Sequence, residues 1–217
     1  MTLTALTFAL AVHGQDALEL RWRPKEGETH VYELLLKDKE TSVEASVEHK
    51  VTDVRQDGGY EVRSRSLGAI VKLAGSEIKD DRPNEATATF DAFGRLGEIK
   101  GGSAGLEKVR NALLTRFVAP PAAVKPGDKW SSAREKDRPA GLAASTVEYT
   151  FKGVKDGLAE VAFTFVEKGG SFPQSASGTW WVDAKTGLPV KFEAKVKNFV
   201  GQESPETEVR LSLRRPV

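Results

Sequence analysis

Apolar and charged residues alternate with a period of two over long stretches of this chain. Val43, Ala45, Val47, His49 and Val51 share one parity, and Glu44, Ser46, Glu48 and Lys50 the other. Val190, Phe192, Ala194 and Val196 alternate in the same way with Lys191, Glu193, Lys195 and Lys197, and Val209, Leu211 and Leu213 with Glu208, Arg210 and Arg214. Leu18, Leu20 and Trp22 against Glu19, Arg21 and Arg23 read as a further strand. A helix would scatter these residues around its axis, so each run predicts a strand with one buried and one solvated face. Weaker runs lie over 29–37, 59–66, 69–73, 86–90, 96–100, 146–151, 158–166 and 178–182, and the twelve runs together predict about ten or eleven strands.

One segment has helical spacing. Over 104–118, Leu106, Val109, Leu113 and Phe117 recur at intervals of three and four, Ser103 stands at the N-cap position, and Pro120-Pro121 forms a stop. Glu107, Lys108, Arg110 and Asn111 are expected on its outer, polar face. The stretch 120–137 reads as an extended connection rich in Pro, Ala and Lys. One-sided strands must turn their apolar faces toward one another or toward a helix. The expected fold is therefore mainly β: a long curved antiparallel sheet, a half-barrel or open barrel, with the amphipathic helix packed on its concave face. A β-sandwich is the alternative.

Two turn sequences resemble each other. Phe90-Asp91-Ala92-Phe93-Gly94-Arg95-Leu96 and Val182-Asp183-Ala184-Lys185-Thr186-Gly187-Leu188 both start apolar-Asp-Ala and carry Gly before Leu. Asp bonding back into the turn and Gly at positive φ suit tight hairpins. Residues 28–100 and 128–200 could thus be related meanders flanking the helix, or two unrelated sets of hairpins with common turn chemistry.

Composition narrows the function classes. At 217 residues the chain suits one domain, taken as 15–217. With 32 Lys+Arg against 31 Asp+Glu, its formal charge of +1 offers no bulk attraction for nucleic acid. There is no Cys, hence no disulfide, thiol nucleophile or acylated N-terminal cysteine. Residues 1–14 are uncharged and hold an apolar run from Leu3 to Val12 that is too short for a membrane span. This reads as an export signal ending at Gly14, the alternative being a first strand, and predicts a periplasmic or secreted protein.

There is no His-Glu-x-x-His and no phosphate-binding Gly-rich loop, and the one Gly-x-Ser-x-Gly string, Gly101 to Gly105, holds Ser103, which is read as the helix N-cap. His30 and His49 fall on the apolar parity of their strands and read as core-facing histidines, not as a metal pair. No cofactor, metal site or catalytic residue is assigned. The aromatic residues are more informative. Tyr149, Phe151, Phe163, Phe165 and Phe192 share inward parities with Trp180. Together with Leu106, Val109, Leu113 and Phe117 they are the expected walls of any interior ligand space. Trp181, on the opposite parity from Trp180, should point outward and could mark a partner surface.

The meander, the single mid-chain helix, Pro126-Gly127-Asp128-Lys129-Trp130 and the Trp181-to-Val190 hairpin together resemble the lipoprotein-carrier superfamily and similar secreted bacterial β-rich domains. In that superfamily an open β-barrel wraps helices around an apolar ligand space. The resemblance implies an exported, non-enzymatic protein that binds a hydrophobic small molecule or a lipoprotein acyl chain. The competing expectation is a structural or interaction module of the cell envelope whose interior is filled by its own side chains.

Overall fold

A computed structural model describes residues 16–82, 84–101, 110, 112–137, 142–199, 204 and 206–214. The proposed export signal, Leu106 and Val109 lie outside them. Among the described residues twelve strands form one sheet: β1 (Thr29–Lys37), β2 (Thr41–Val54), β3 (Tyr60–Leu73), β4 (Ser76–Asp80), β5 (Glu85–Phe90), β6 (Leu96–Lys100), β7 (Lys129–Arg134), β8 (Ala144–Lys155), β9 (Leu158–Lys168), β10 (Ser175–Asp183), β11 (Pro189–Lys197) and β12 (Thr207–Leu213). Their order is β6-β5-β3-β2-β1-β12-β11-β10-β9-β8-β7, with β4 attached to β3. Every strand pair is antiparallel. The fold is the expected curved antiparallel sheet, not a sandwich. It is open: its edges β6 and β7 come near one another without pairing, and Arg134 Nη1 on β7 reaches within 3.5 Å of the Leu96 carbonyl on β6.

The concave face carries the apolar parity. Val161, Phe163 and Phe165 on β9, Trp180 and Val182 on β10, and Phe192 and Val196 on β11 are buried in one large cluster with Tyr149 and Phe151 of β8. The outer parity is the charged one. Trp181 lies on it, half-buried, with the Lys191 ammonium 4.3 Å from its ring centre.

Three local features differ from the sequence reading. Residues 110 and 112–114 are helical, but the chain from 116 onward is not, four residues short of the expected end. Pro120 disfavours helical geometry at Ala119, and side chains take over the backbone of Val118. Tyr149 Oη accepts from Val118 N at 3.2 Å, and Trp130 Nε1 donates to the Val118 carbonyl at 2.8 Å. Leu114 and Phe117 are buried in the core, while Leu113 is half-buried against it.

Second, residues 17–24 form no strand. They make one isolated bridge, Leu18 to Val124, because the facing segment contains Pro120, Pro121 and Pro126 and lacks the donors to extend a ladder. The expected connection at 120–137 instead contributes β7 from residue 129.

Third, Arg110 is buried rather than on the polar face of the helix. Its Nε donates to Glu167 Oε1 at 2.8 Å, and its Nη2 donates both to Glu167 Oε2 and, at 3.0 Å, to the Phe172 carbonyl. Gln174 N donates to Glu167 Oε2 at 2.8 Å. This bidentate pair ties the helical turn to the end of β9 and to the β9–β10 loop.

Removing one partner leaves the other charge buried and unmatched. Glu167→Ala is expected to lower the unfolding free energy by about 3–5 kcal/mol, measured by urea unfolding. The double replacement Arg110→Met with Glu167→Leu should recover most of that loss.

Candidate functional site

The two halves of the concave face are filled differently. On β8–β11 it is built from Tyr, Phe and Trp, and the space closes. On β2, β3 and β5 the inward positions include Val47, Ser64, Ala86 and Ala88, and the buried cluster there contains only Tyr60, Val62 and Phe90. Small side chains cannot span the width of a curved sheet, and they leave a cavity of about 360 Å³. That volume lies at the lower end of the range typical of small-molecule sites.

Register sorts the cavity wall into two ends. His30 on β1 stands opposite His49 on β2, and His49 opposite Ser64 on β3. Further along β1 come Tyr32, opposite Val47, and then Leu34 and Leu36, opposite Leu211 and Val209 of β12. The wall is therefore polar and aromatic at the start of β1 and aliphatic toward its end.

The aromatic end is a linked set of rings. Trp22 packs edge-on against Tyr60 at 5.3 Å and His30 at 5.7 Å, Tyr32 lies 5.1 Å from His49, and Tyr60 stacks on Phe90 at 5.2 Å. Two turns hold this end. At Gly187 (φ +72°) an added Cβ would lie 2.4 Å from the Arg21 carbonyl carbon, so only glycine lets the β10–β11 turn pack beneath Arg21 and Trp22. Gly94 (φ +85°) in the β5–β6 turn meets the Phe117 carbonyl in the same way, at 2.7 Å. In these turns Asp91 Oδ1 accepts from Phe93 N at 2.9 Å, and Asp183 Oδ1 from Thr186 N at 2.8 Å.

The polar groups differ in how well they are satisfied. His30 Nε2 is 2.8 Å from Glu28 Oε1, and Tyr32 Oη donates to the Pro189 carbonyl at 2.9 Å. The Arg116 guanidinium lies over the Phe90 ring, 4.2 Å from its centre, and makes no ion pair among the described residues. His49 and the Tyr60 hydroxyl likewise have no hydrogen-bond partner among the described residues.

The surface His49 leaves uncovered is cavity wall, and protein surrounds the ring elsewhere. Burial pulls its pKa down to about 3, with the charge on Arg116 and the neighbouring His30 acting in the same direction. Burial raises the Tyr32 and Tyr60 phenols above their ordinary values, opposed by Arg116. His49 is thus a neutral imidazole, and no hydrogen bond joins it to Ser64 across the strands. Among the described residues no three side chains gather to hold a metal ion.

Of the residues singled out from sequence, Phe117 and Trp180 reach the cavity wall. Tyr149, Phe151, Phe163, Phe165 and Phe192 are buried together in the packed half. The Trp180 indole N–H is buried with no hydrogen-bond partner. Sequence reasoning did not select Trp22, Tyr60 or Arg116. The available signals were the run of small residues on the inward parity of β3 and β5, and two histidines facing the same way on adjacent strands.

No family model matches this chain, and no curated protein does. Among solved structures, the crystal structure of a "putative lipoprotein" from Parabacteroides distasonis aligns over 92% of this chain and 100% of its own, with 13% identity and a TM-score of 0.35. At that score the likeness establishes neither a common fold nor a common ligand.

The state of His49 has a consequence for stability. Between pH about 3 and 6.5 the unfolded chain binds a proton at this position and the native protein does not. Stability therefore rises with pH through that window and is lost as pH falls through it, by up to about 1.4 kcal/mol per pH unit. His49→Gln should flatten the loss between pH 6.5 and 5, above the range where most carboxylates protonate, as read by urea unfolding at each pH.

Proposed function

We propose that this protein is an exported, non-enzymatic binding protein that carries an apolar, lipid-like ligand in the cavity of its N-terminal half. The observation that carries this reading is an unfilled, mainly apolar space of about 360 Å³ beside a core that is otherwise tightly packed. An envelope module stabilised only by its own side chains would have no use for such a space. Cavity and packing defects cost stability in proportion to the volume left empty.

Three further features favour binding over chemistry. His49 is held neutral with a pKa of about 3, which makes it a poor general base. The serine facing it, Ser64, is not hydrogen-bonded to it. Among the described residues no carboxylate orients the His49 imidazole as a nucleophilic triad requires. Export rests on the apolar segment 3–12. Among the described residues no helix is long and apolar enough to cross a membrane.

Native mass spectrometry of the purified protein should show a co-purifying small molecule, or uptake of a fluorescent fatty-acyl probe at one equivalent. Ser64→Phe combined with Ala88→Leu should fill the cavity, leave the circular dichroism spectrum unchanged and abolish probe uptake. Absence of any ligand and of any uptake in the parent protein would favour the structural-module reading instead.

A further inference from the structure

We propose that the cavity takes a single-chain amphiphile with one anionic head, the head resting on Arg116, His49 and Tyr60 and the chain running along Leu34, Leu36 and Leu211. This rests on the binding reading above and specifies its ligand class. The first support is the state of the three polar side chains. All three form part of the cavity wall, and none has a hydrogen-bond partner among the described residues. Tyr60 is buried and Arg116 and His49 are half-buried, and polar groups withdrawn from bulk water are ordinarily paired. A ligand anion would satisfy all three together: a guanidinium that can chelate two oxygens, a phenol that donates, and a neutral imidazole with one N–H.

The second support is the polarity gradient. Arg116 lies over Phe90, which stacks on Tyr60, and its charge acts on Tyr32, His49 and Tyr60, so it sits at the aromatic end. The other end, near Leu36 and Val209, is aliphatic. A cavity polar at one end and aliphatic at the other matches an amphiphile lying lengthwise. Its volume, near the lower limit for small-molecule sites, suits one chain and not a two-chain lipid. Carboxylate and phosphate heads present the same paired oxygens to arginine, so both belong to this class.

The test compares a fluorescent polyene fatty acid with its methyl ester, which keeps the chain and loses the charge. The acid is expected to bind about tenfold more tightly or better, the usual effect of a charged hydrogen bond at a buried site. Arg116→Gln should erase that preference while leaving the ester's affinity within about twofold, and Arg116→Lys should restore part of it. Tyr60→Phe should weaken the acid severalfold and spare the ester.

Displacement of the probe by dodecanoate, by dodecyl phosphate and by dodecanol then identifies the head, with the alcohol the weakest of the three. Equal affinity for acid and ester in the unmodified protein overturns the proposal and leaves an apolar-ligand protein. Binding of neither overturns the binding reading as well. The comparison in unmodified protein decides the matter even if Arg116→Gln does not fold.

Discussion

The structure depends on how a single open sheet covers its own apolar concave face. Among the described residues there is no second sheet layer, so the chain leading into edge β7 covers the face together with residues 17–24, whose Leu20 is buried in the core. That crossing is held by side chains and by single backbone contacts, Ala119 N donating to the Phe93 carbonyl and Leu18 bridging to Val124, and not by a ladder. Tyr149 uses one hydroxyl to accept from Val118 N and to donate, at 3.3 Å, to the Arg116 carbonyl, while Trp130 takes the Val118 carbonyl. The Arg110–Glu167 pair fixes the helical turn just before it. Past the helical turn, neighbouring side chains go separate ways. Phe117 packs on Trp130, Tyr149 and Trp180, while Arg116 reaches the opposite side, over Phe90. The same tether that closes the core thus delivers Arg116, the one cation on the cavity wall among the described residues.

The asymmetry of the sheet follows from side-chain size. Both halves have the same strand alternation, and the charged outer parity is similar in both. What differs is the inward parity, which is aromatic on β8–β11 and includes serine and alanine on β3 and β5. Large rings stabilise the first half, each contributing roughly 1.5–3 kcal/mol through burial. The second half gives up that contribution and gains an interior space. Stability and binding are thereby assigned to different ends of one continuous sheet.

Much of the architecture was legible in the sequence because period two is a direct consequence of strand geometry. Val43 to Val51 and Val190 to Val196 disclosed their faces without ambiguity, and the divergence of Trp180 from Trp181 followed from parity alone. The helical segment was harder to read. Arg110 looks like a solvated residue until its partner is known, and Glu167 lies fifty-seven positions away. Glu167 does continue the inward parity of Ala159, Val161, Phe163 and Phe165, and that anomaly was its only signal. The cavity escaped for a related reason. Aromatic residues draw attention as ligand contacts, yet most of them fill the core, whereas a cavity is made by residues that are small. Ser64, Ala86 and Ala88 are unremarked in a sequence until register sets them side by side.

The four tryptophans allow the central claim to be tested by one spectrum. Trp22 and Trp180 lie on the cavity wall, Trp130 is half-buried and stacked on Tyr149 at 5.1 Å, away from the cavity, and Trp181 is on the outer face beneath Lys191. Titrating dodecanoate into nitrogen-labelled protein and following the four indole N–H resonances reports where an amphiphile goes. The account predicts saturable shifts of the Trp22 and Trp180 signals, with Trp130 and Trp181 unmoved. Shifts of Trp181 or Trp130 while Trp22 and Trp180 stay fixed would contradict it.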